Sequence, residues 1–338
     1  MPHRRSLLLA ASLAPLAAPR LARAQQATAR WVPDRPILFI SGYSPGGSTD
    51  IGARLIADRM AAAIGPEARI IVENRPGAAG TIATEWLKNR APDGTTIMIQ
   101  ETGAGAAAPT ATIGGTRYDP MRDFSHLGVI STPPGPLVFN NAFAPANLST
   151  AQVIEKLRTA PPESITYASS GFGGVLHLRS EMFAQHLGTR FVHVPYRSGA
   201  QMLTAIMQGE AQFGIAALAS ANAFMREGKV RALAMIGDRR FSQFPDIPTM
   251  DEIGIPGFDN AGWFMLWGPA GIPRPIAETL NAALVSALRD PGVRERMIIA
   301  GHDPVQGENT LDGARAYLER ELGVMRQMVD RTGIRLQP

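Results

Sequence analysis

Residues 42–46, Gly-Tyr-Ser-Pro-Gly, match the G-x-S-x-G spacing of a hydrolase nucleophile elbow, with Ser44 in the attacking position. An elbow of this kind places the serine on a tight strand-to-helix turn, and the backbone N–H of the next residue stabilises the oxyanion. Here the next residue is Pro45, which has no N–H to give. No base with an acid to orient it is evident, so a serine hydrolase is the weakest of the readings considered. The five histidines beyond residue 24, His126, His177, His186, His193 and His302, form no HxxxH or HExxH pair, and no zinc site is expected. A single histidine such as His177 is read as a satisfied structural residue. No GxxxxGK[ST] phosphate loop occurs, and "GAGAAA" (103–108) lacks the third glycine of a dinucleotide fingerprint, so no cofactor is expected.

What the same stretch can do is hold an anion. Pro45, Gly46, Gly47, Ser48, Thr49 and Asp50 lie between an apolar run and a helical pattern. A helix start exposes unpaired N–H groups and about half a positive charge; glycines allow close approach and hydroxyls add donors. The same residue types recur at Ser169-Ser170-Gly171 and at Tyr196-Arg197-Ser198-Gly199. Each alone could be an ordinary capped turn. Their repetition at strand ends in both halves favours binding.

These turns need strands before them and helices after them. Residues 37–40 (ILFI) have the length of a buried strand; Ser48 or Thr49 is the expected cap of a helix with Ile51, Leu55, Ile56 and Met60 on its apolar face, stopped at Gly65-Pro66. A strand at 69–73, a glycine turn at 76–80, a helix through Trp86 and Leu87, the turn Pro92-Asp93-Gly94 and a strand at 95–100 follow. This β–turn–α order predicts a parallel sheet with crossover helices, in which ligands sit at the carboxyl ends of the strands. Strands at 137–140, 164–168, 191–196, within 211–218 and at 230–236, with helices at 149–157, 175–187 and 199–208, predict a second such unit; helices are predicted at 275–289, 291–300 and 311–331. Two lobes facing a cleft are expected, with Pro133-Pro134 and Gly254–Gly262 as crossovers or hinges.

With 45% hydrophobic and 18% charged residues, the 338-residue chain reads as compact and long enough for two cores. Residues 1–24 read as a cleaved signal peptide: Arg4 and Arg5, an apolar stretch from Leu7 to Ala18, and Ala22-Arg23-Ala24 at the cleavage site. The apolar stretch is too short to span a bilayer. The arginine pair leaves both the general secretory and the twin-arginine routes open. Four of the 33 Lys and Arg residues belong to this segment, leaving 29 against 29 acids, so neither nucleic acid nor an anionic membrane is an expected partner. Without cysteine there can be no disulfide and no lipidated N-terminal cysteine.

"YSPGGSTDIGARLIADRM", "IIVENRPGAAGTIATEWLKNRAPDGTTIMI", "ITYASSGFGGVLHLRSEMF", "FVHVPYRSGAQMLTAIMQGEAQF", "GKVRALAMIG", "FPDIPTMDEIGIPGF" and "WGPAGIPRPIAETLNAAL" stand in this order. Over residues 33–335 the chain resembles the tripartite tricarboxylate transporter substrate-binding proteins, the Bug family of Bordetella-type bacteria. The resemblance implies an α/β type II periplasmic binding protein of the Venus-flytrap kind, with parallel-type sheets and crossover helices in each lobe. The lobes would be residues 25–133 plus 259–338 and residues 134–258. It implies a monomeric receptor, not an enzyme, that captures a small carboxylate in the periplasm for membrane permease subunits. A sensory receptor for a membrane kinase is the alternative within the same fold. By position, the ligand contacts would be Tyr43, Ser44, Gly46, Gly47, Ser48, Thr49, Thr102, Ser169, Ser170, Gly173 and Tyr196.

The chain departs from the family pattern at three places. Glu101 stands where a small polar residue is usual, with Ala104 at the next hydroxyl site; Phe172, Gly174 and Val175 replace Asn, Thr and Ser; Ala216-Ala217 replaces Asp-Asn. These changes remove polar groups from the second lobe and add an acid to the first. The expected ligand therefore has one carboxylate and an apolar or aromatic body, with Glu101, Phe172 and Ala216 deciding its identity and a cationic or donor group able to face Glu101. The plainer expectation for Glu101 is that it turns away and pairs with an arginine.

Overall fold

The computed structural model describes residues 31–338 except 173, 238, 259–261, 334 and 338. The signal-peptide reading of residues 1–24 and the candidate contact Gly173 lie outside the described residues.

Alternation and glycine turns build the first half as expected. β1 (Ile37–Ser41), α1 (Ser48–Ile64), β2 (Ile70–Asn74), α2 (Thr81–Lys88) and β3 (Thr96–Glu101) form two strand–helix–strand units with parallel pairing, Ile37 opposite Ile70 and Leu38 opposite Thr96. Ile37 and Phe39 enter the cluster on one sheet face, with α1; Ile40 enters the cluster on the other. A strand buried on both faces reads as a continuous apolar run, and residues 37–40 do.

After β3 come a π-helical turn (Gly103–Ala107), α3 (Ala108–Ala111) and β4 (Phe124–Ser131); the chain then crosses through Pro133-Pro134 into the second sheet. There β5 (Gly135–Phe139), α4 (Thr150–Thr159), β6 (Thr166–Ser169), α5 (Val175–Leu187), β7 (Val192–Pro195), α6 (Gly199–Gln208), β8 (Phe213–Ile215), α7 (Leu218–Arg226) and β9 (Arg231–Ile236) follow. The chain returns as β10 (Phe264–Pro269) and ends in α8 (Arg274–Arg289), α9 (Pro291–Ile299) and α10 (Leu311–Thr332).

Two five-stranded sheets result, ordered β2-β1-β3-β10-β4 and β7-β6-β8-β5-β9. Both are mixed. β10 runs antiparallel to β3 and β4, and β5 antiparallel to β8 and β9, because these strands carry the chain from one sheet to the other. The parallel-type expectation holds for β1–β3 and for β6–β8. In the second sheet Leu137 and Phe139 bury on one face and Val138 on the other.

The start of α1 also differs from expectation. Its N-cap is Gly47, with no side-chain cap bond, rather than Ser48 or Thr49. The Thr49 hydroxyl instead sits 2.7 Å from Ser41 Oγ, and Asp50 accepts from the Gly46 N–H at 3.0 Å. The turn is thereby tied to β1 from within.

Candidate ligand-binding site

A cavity of about 680 Å³ of empty space, partly open to solvent, lies where the carboxyl ends of both sheets' strands meet. From the first sheet it is lined by Tyr43, Gly47, Ser48, Glu101 and Thr102, and from the second by Ser170 and Ala216. The crossovers add Pro133, Pro134, Gly135, Gly262 and Trp263.

The first turn is held rigidly. Asn74 donates to the Tyr43 carbonyl at 2.9 Å and to Asp50 at 3.0 Å, and Arg54 pairs with Asp50 at 2.9 Å. Burial opposes the charge on Asp50, but these bonds and the Gly46 N–H outweigh it and lower the pKa. Tyr43 Oη reaches 3.0 Å from Glu101 Oε1 and 3.1 Å from the Ala79 carbonyl. Burial, then the neighbouring Glu101, pushes the phenol well above its ordinary pKa.

Among the described residues Glu101 pairs with no arginine. Its carboxylate accepts from Gly103 N at 2.7 Å and Ala104 N at 3.0 Å, so it closes the π-helical turn behind it while lining the cavity. Burial raises its pKa despite these donors.

Three of the helices that open on the cavity share a feature. α1, α5 and α7 begin at Gly47, Gly174 and Ala217, none of which caps with a side chain. α6 also opens there, at Gly199, and is capped by Ser198. Away from the cavity, α4, α9 and α10 are closed by Ser149, Asp290 and Thr310, while α2 and α8 start at Gly80 and Pro273 without a side-chain cap. Uncapped starts leave backbone N–H groups available to an anion.

Other sequence-derived candidates serve as supports. Ser44 lends its carbonyl to Gly47 N at 3.1 Å, and Gly46 makes the turn at φ +80°. Neither they nor Thr49 line the cavity. Ser169 Oγ lies 2.7 Å from His193 Nε2, behind the lining residue Ser170. Phe172 is exposed and packs its ring 4.9 Å from His177, and Tyr196 donates to Glu210 at 3.1 Å; both lie outside the lining.

Several lining residues carried no signal in the sequence reading. Arg179, on the second turn of α5, is 3% exposed and lines the cavity. Ser220, in the first turn of α7, and Trp263 also line it; the Ser220 hydroxyl and the Trp263 indole N–H are buried without a hydrogen-bond partner. An arginine in an amphipathic helix ordinarily reads as its solvent face, which hid Arg179. Buried charge becomes visible only once the second wall of the cavity is in place.

Nothing here assembles a nucleophile. The Ser169–His193 contact resembles half of a triad, but His193 stacks on His177 at 4.0 Å and on Tyr167 at 4.8 Å, and burial takes its pKa to about 3. A base that is neutral and barely basic at pH 7 cannot take a serine proton usefully. Among the described residues no group of three or more His, Cys, Asp or Glu could hold a metal ion, and no helix is long and apolar enough to cross a membrane.

A family model described as tripartite tricarboxylate transporter family receptor (TctC) matches residues 52–321. The chain belongs to this family. It is accordingly a substrate-binding protein rather than an enzyme, of the Bug type. BugT of Bordetella pertussis is 29% identical over 305 residues, covering 90% of this chain and 91% of that one. Among solved structures, MatC of Rhodopseudomonas palustris with bound malate superposes with a TM-score of 0.82 at 28% identity, covering 88% of this receptor and all of that chain. A second R. palustris protein, with adipate, gives 0.83 at 27% identity, covering 90% and 99%. The two-lobed α/β binding-protein fold is common to them and to this receptor.

Proposed function

We propose that this receptor captures a small carboxylate with one carboxyl group and an apolar or aromatic body, and hands it to the membrane permease of a tripartite transporter. The observation that carries this reading is the convergence of uncapped helix starts, α1 from the first sheet and α5 and α7 from the second, on one cavity. Helix starts attract anions without needing a cationic ligand shell. Val175, Leu176, Trp263 and Phe264 supply apolar wall for the rest of the molecule. Malate and adipate, found in the two relatives, carry a carboxylate at each end; here the Glu101 carboxylate stands in the wall and disfavours a second one.

The receptor would act in the periplasm as a monomer, after removal of residues 1–24. Residues 25–133 with 259–338, and residues 134–258, would be the two lobes, closing by rotation about the crossovers at Pro133-Pro134 and before β10.

A thermal-shift and calorimetric comparison of benzoate, 3-phenylpropanoate, succinate and adipate tests the reading. A monocarboxylate at 100 times its Kd adds about 2.7 kcal/mol, which moves the midpoint by roughly 4 °C at this chain length. Tighter binding of succinate or adipate overturns the ligand class. Binding of none of the four overturns the carboxylate reading itself.

A further inference from the structure

The receptor reading leaves open which part of the ligand faces Glu101. We propose that the ligand is a zwitterion, an amino-substituted monocarboxylate with an apolar body, and that the Glu101 carboxylate seats its ammonium group. This rests on the receptor reading above; it adds a second charge to the ligand and names the residue that recognises it.

A carboxylate taken out of water is costly unless a cation meets it. Two other enclosed acids are given one. Asp50, with its side chain 6% exposed, holds Arg54 at 2.9 Å; Asp123, at 10%, holds Lys88 and Arg122, each at 2.9 Å. Among the described residues Glu101 receives none. What acts on its carboxyl is burial, then the N–H groups of Gly103 and Ala104 and the Tyr43 hydroxyl. The other charged residue of the lining, Arg179 on α5, forms no ion pair with it. The uncompensated acid stands in the ligand cavity, where the missing cation can arrive with the ligand.

Glu101 also has an acceptor position to spare. An ionised carboxyl offers about four lone-pair sites. Oε1 takes the Tyr43 hydroxyl and Ala104 N, both at 3.0 Å, whereas Oε2 takes Gly103 N alone, at 2.7 Å. The residue is half-buried and lines the cavity, so a ligand can reach it. An ammonium group carries donors and no acceptor, which suits an oxygen short of donors; a second carboxylate carries acceptors only. A ligand hydroxyl could fill the same position but would leave the charge unanswered, and a charge-assisted bond is the stronger one. Tyr43 and Trp263 stand beside Glu101 in the lining, aromatic neighbours compatible with a cation. The ligand's own carboxylate is left to the uncapped helix starts.

The experiment is calorimetry on the mature receptor with acids that differ by one amino group: 3-phenylpropanoate against phenylalanine and β-phenylalanine, and 4-methylbenzoate against 4-(aminomethyl)benzoate. At least one amino acid is expected to bind the parent more than fivefold tighter than its amine-free counterpart. In Glu101→Gln that advantage is expected to fall below twofold, while 3-phenylpropanoate stays within threefold of its affinity for the parent. Should Glu101→Gln fail to fold, as judged by its unliganded melting curve, Glu101→Ser, which carries a small polar side chain of the type usual at this position in the family, is read in the same way. If the amine-free acids bind the parent and no amino acid gains fivefold, the ammonium seat is wrong and the receptor reading stands. An amine advantage that stays above twofold in the substituted receptor overturns Glu101 as the seat. If no acid binds, with or without the amine, the receptor reading falls and the seat with it.

Discussion

Glu101 sets a sign on one end of the cavity. Two like charges about 5 Å apart, at an effective dielectric near 20, repel by roughly 3 kcal/mol. Removing the charge while keeping the shape should therefore change which acids are tolerated. Glu101→Gln is expected to tighten succinate or adipate binding about tenfold and to leave benzoate or 3-phenylpropanoate within threefold, read by calorimetry; unchanged dicarboxylate affinity would exclude Glu101 as the discriminating group. The residue scale is also where the sequence was least legible. Gly47, Ser48 and Tyr43 could be placed because glycine, hydroxyl and aromatic types at a strand-to-helix turn have a local meaning. Phe172 and Tyr196 looked equivalent by the same logic, yet one ring packs against His177 and the other reaches Glu210. Arg179 and Ser220 acquire meaning only through their distance in space from residues far away in the chain.

At the scale of elements, two turns meet across the cleft. Ala78 and Ala79 hold φ of 45° and 50°, a left-handed conformation uncommon outside glycine, and Ala79 packs against Gly171 at the end of β6. A Cβ on Gly171, itself at φ +143°, would lie 3.1–3.2 Å from Ala79, partly from its backbone. Gly171→Ala is therefore expected to hold the turns apart: ligand affinity should fall about tenfold, and the decrease in radius of gyration on ligand binding, measured by solution X-ray scattering, should shrink. A variant that binds and compacts like the parent would show that this contact is not part of closure. The parallel units were readable because each strand, glycine turn and helix follow one another locally. β4 and β10 were not. Gly128 interrupts β4 at φ +152°, where a Cβ would strike Leu284 at 2.6 Å, and β10 ends in Gly268-Pro269, which reads as a turn. Both are strands because of their partners, not because of their own pattern.

For the molecule as a whole, the buried histidines set a lower pH limit. Burial takes His126, His177 and His302 to about 4 and His193 to about 3. Their folded pKa values lie below the unfolded value of about 6.5, so the unfolded chain binds more protons. The stability they support is complete above about pH 6.5 and is lost as pH falls toward 4 and below. Glu101, with its pKa raised, acts in the opposite sense, favouring the folded state at low pH and losing that contribution as pH rises through its folded value; it is one group against four. The melting midpoint is expected to drop steeply between pH 6.5 and 4, with net proton uptake on unfolding detectable by calorimetry in buffers of different ionisation enthalpy. Proton uptake near zero at pH 5 would show that these rings are not buried neutral.

The crossing strands carry a consequence for how such a receptor could change its cargo. The chain leaves the first sheet on β4 and returns on β10, which pair with each other at Ser131 and Phe264. It joins the second sheet on β5 and leaves on β9, which pair at Gly135 and Ile236. The whole second sheet is thus an insert whose two ends lie side by side. Homologous recombination at two neighbouring points could replace it, with Arg179 and Ser220 inside, while β1–β4, β10 and the C-terminal helices stay in place. A chimaera exchanged at these two seams should fold, keep the discrimination between mono- and dicarboxylates that Glu101 sets, and take the rest of its ligand preference from the donor of the insert.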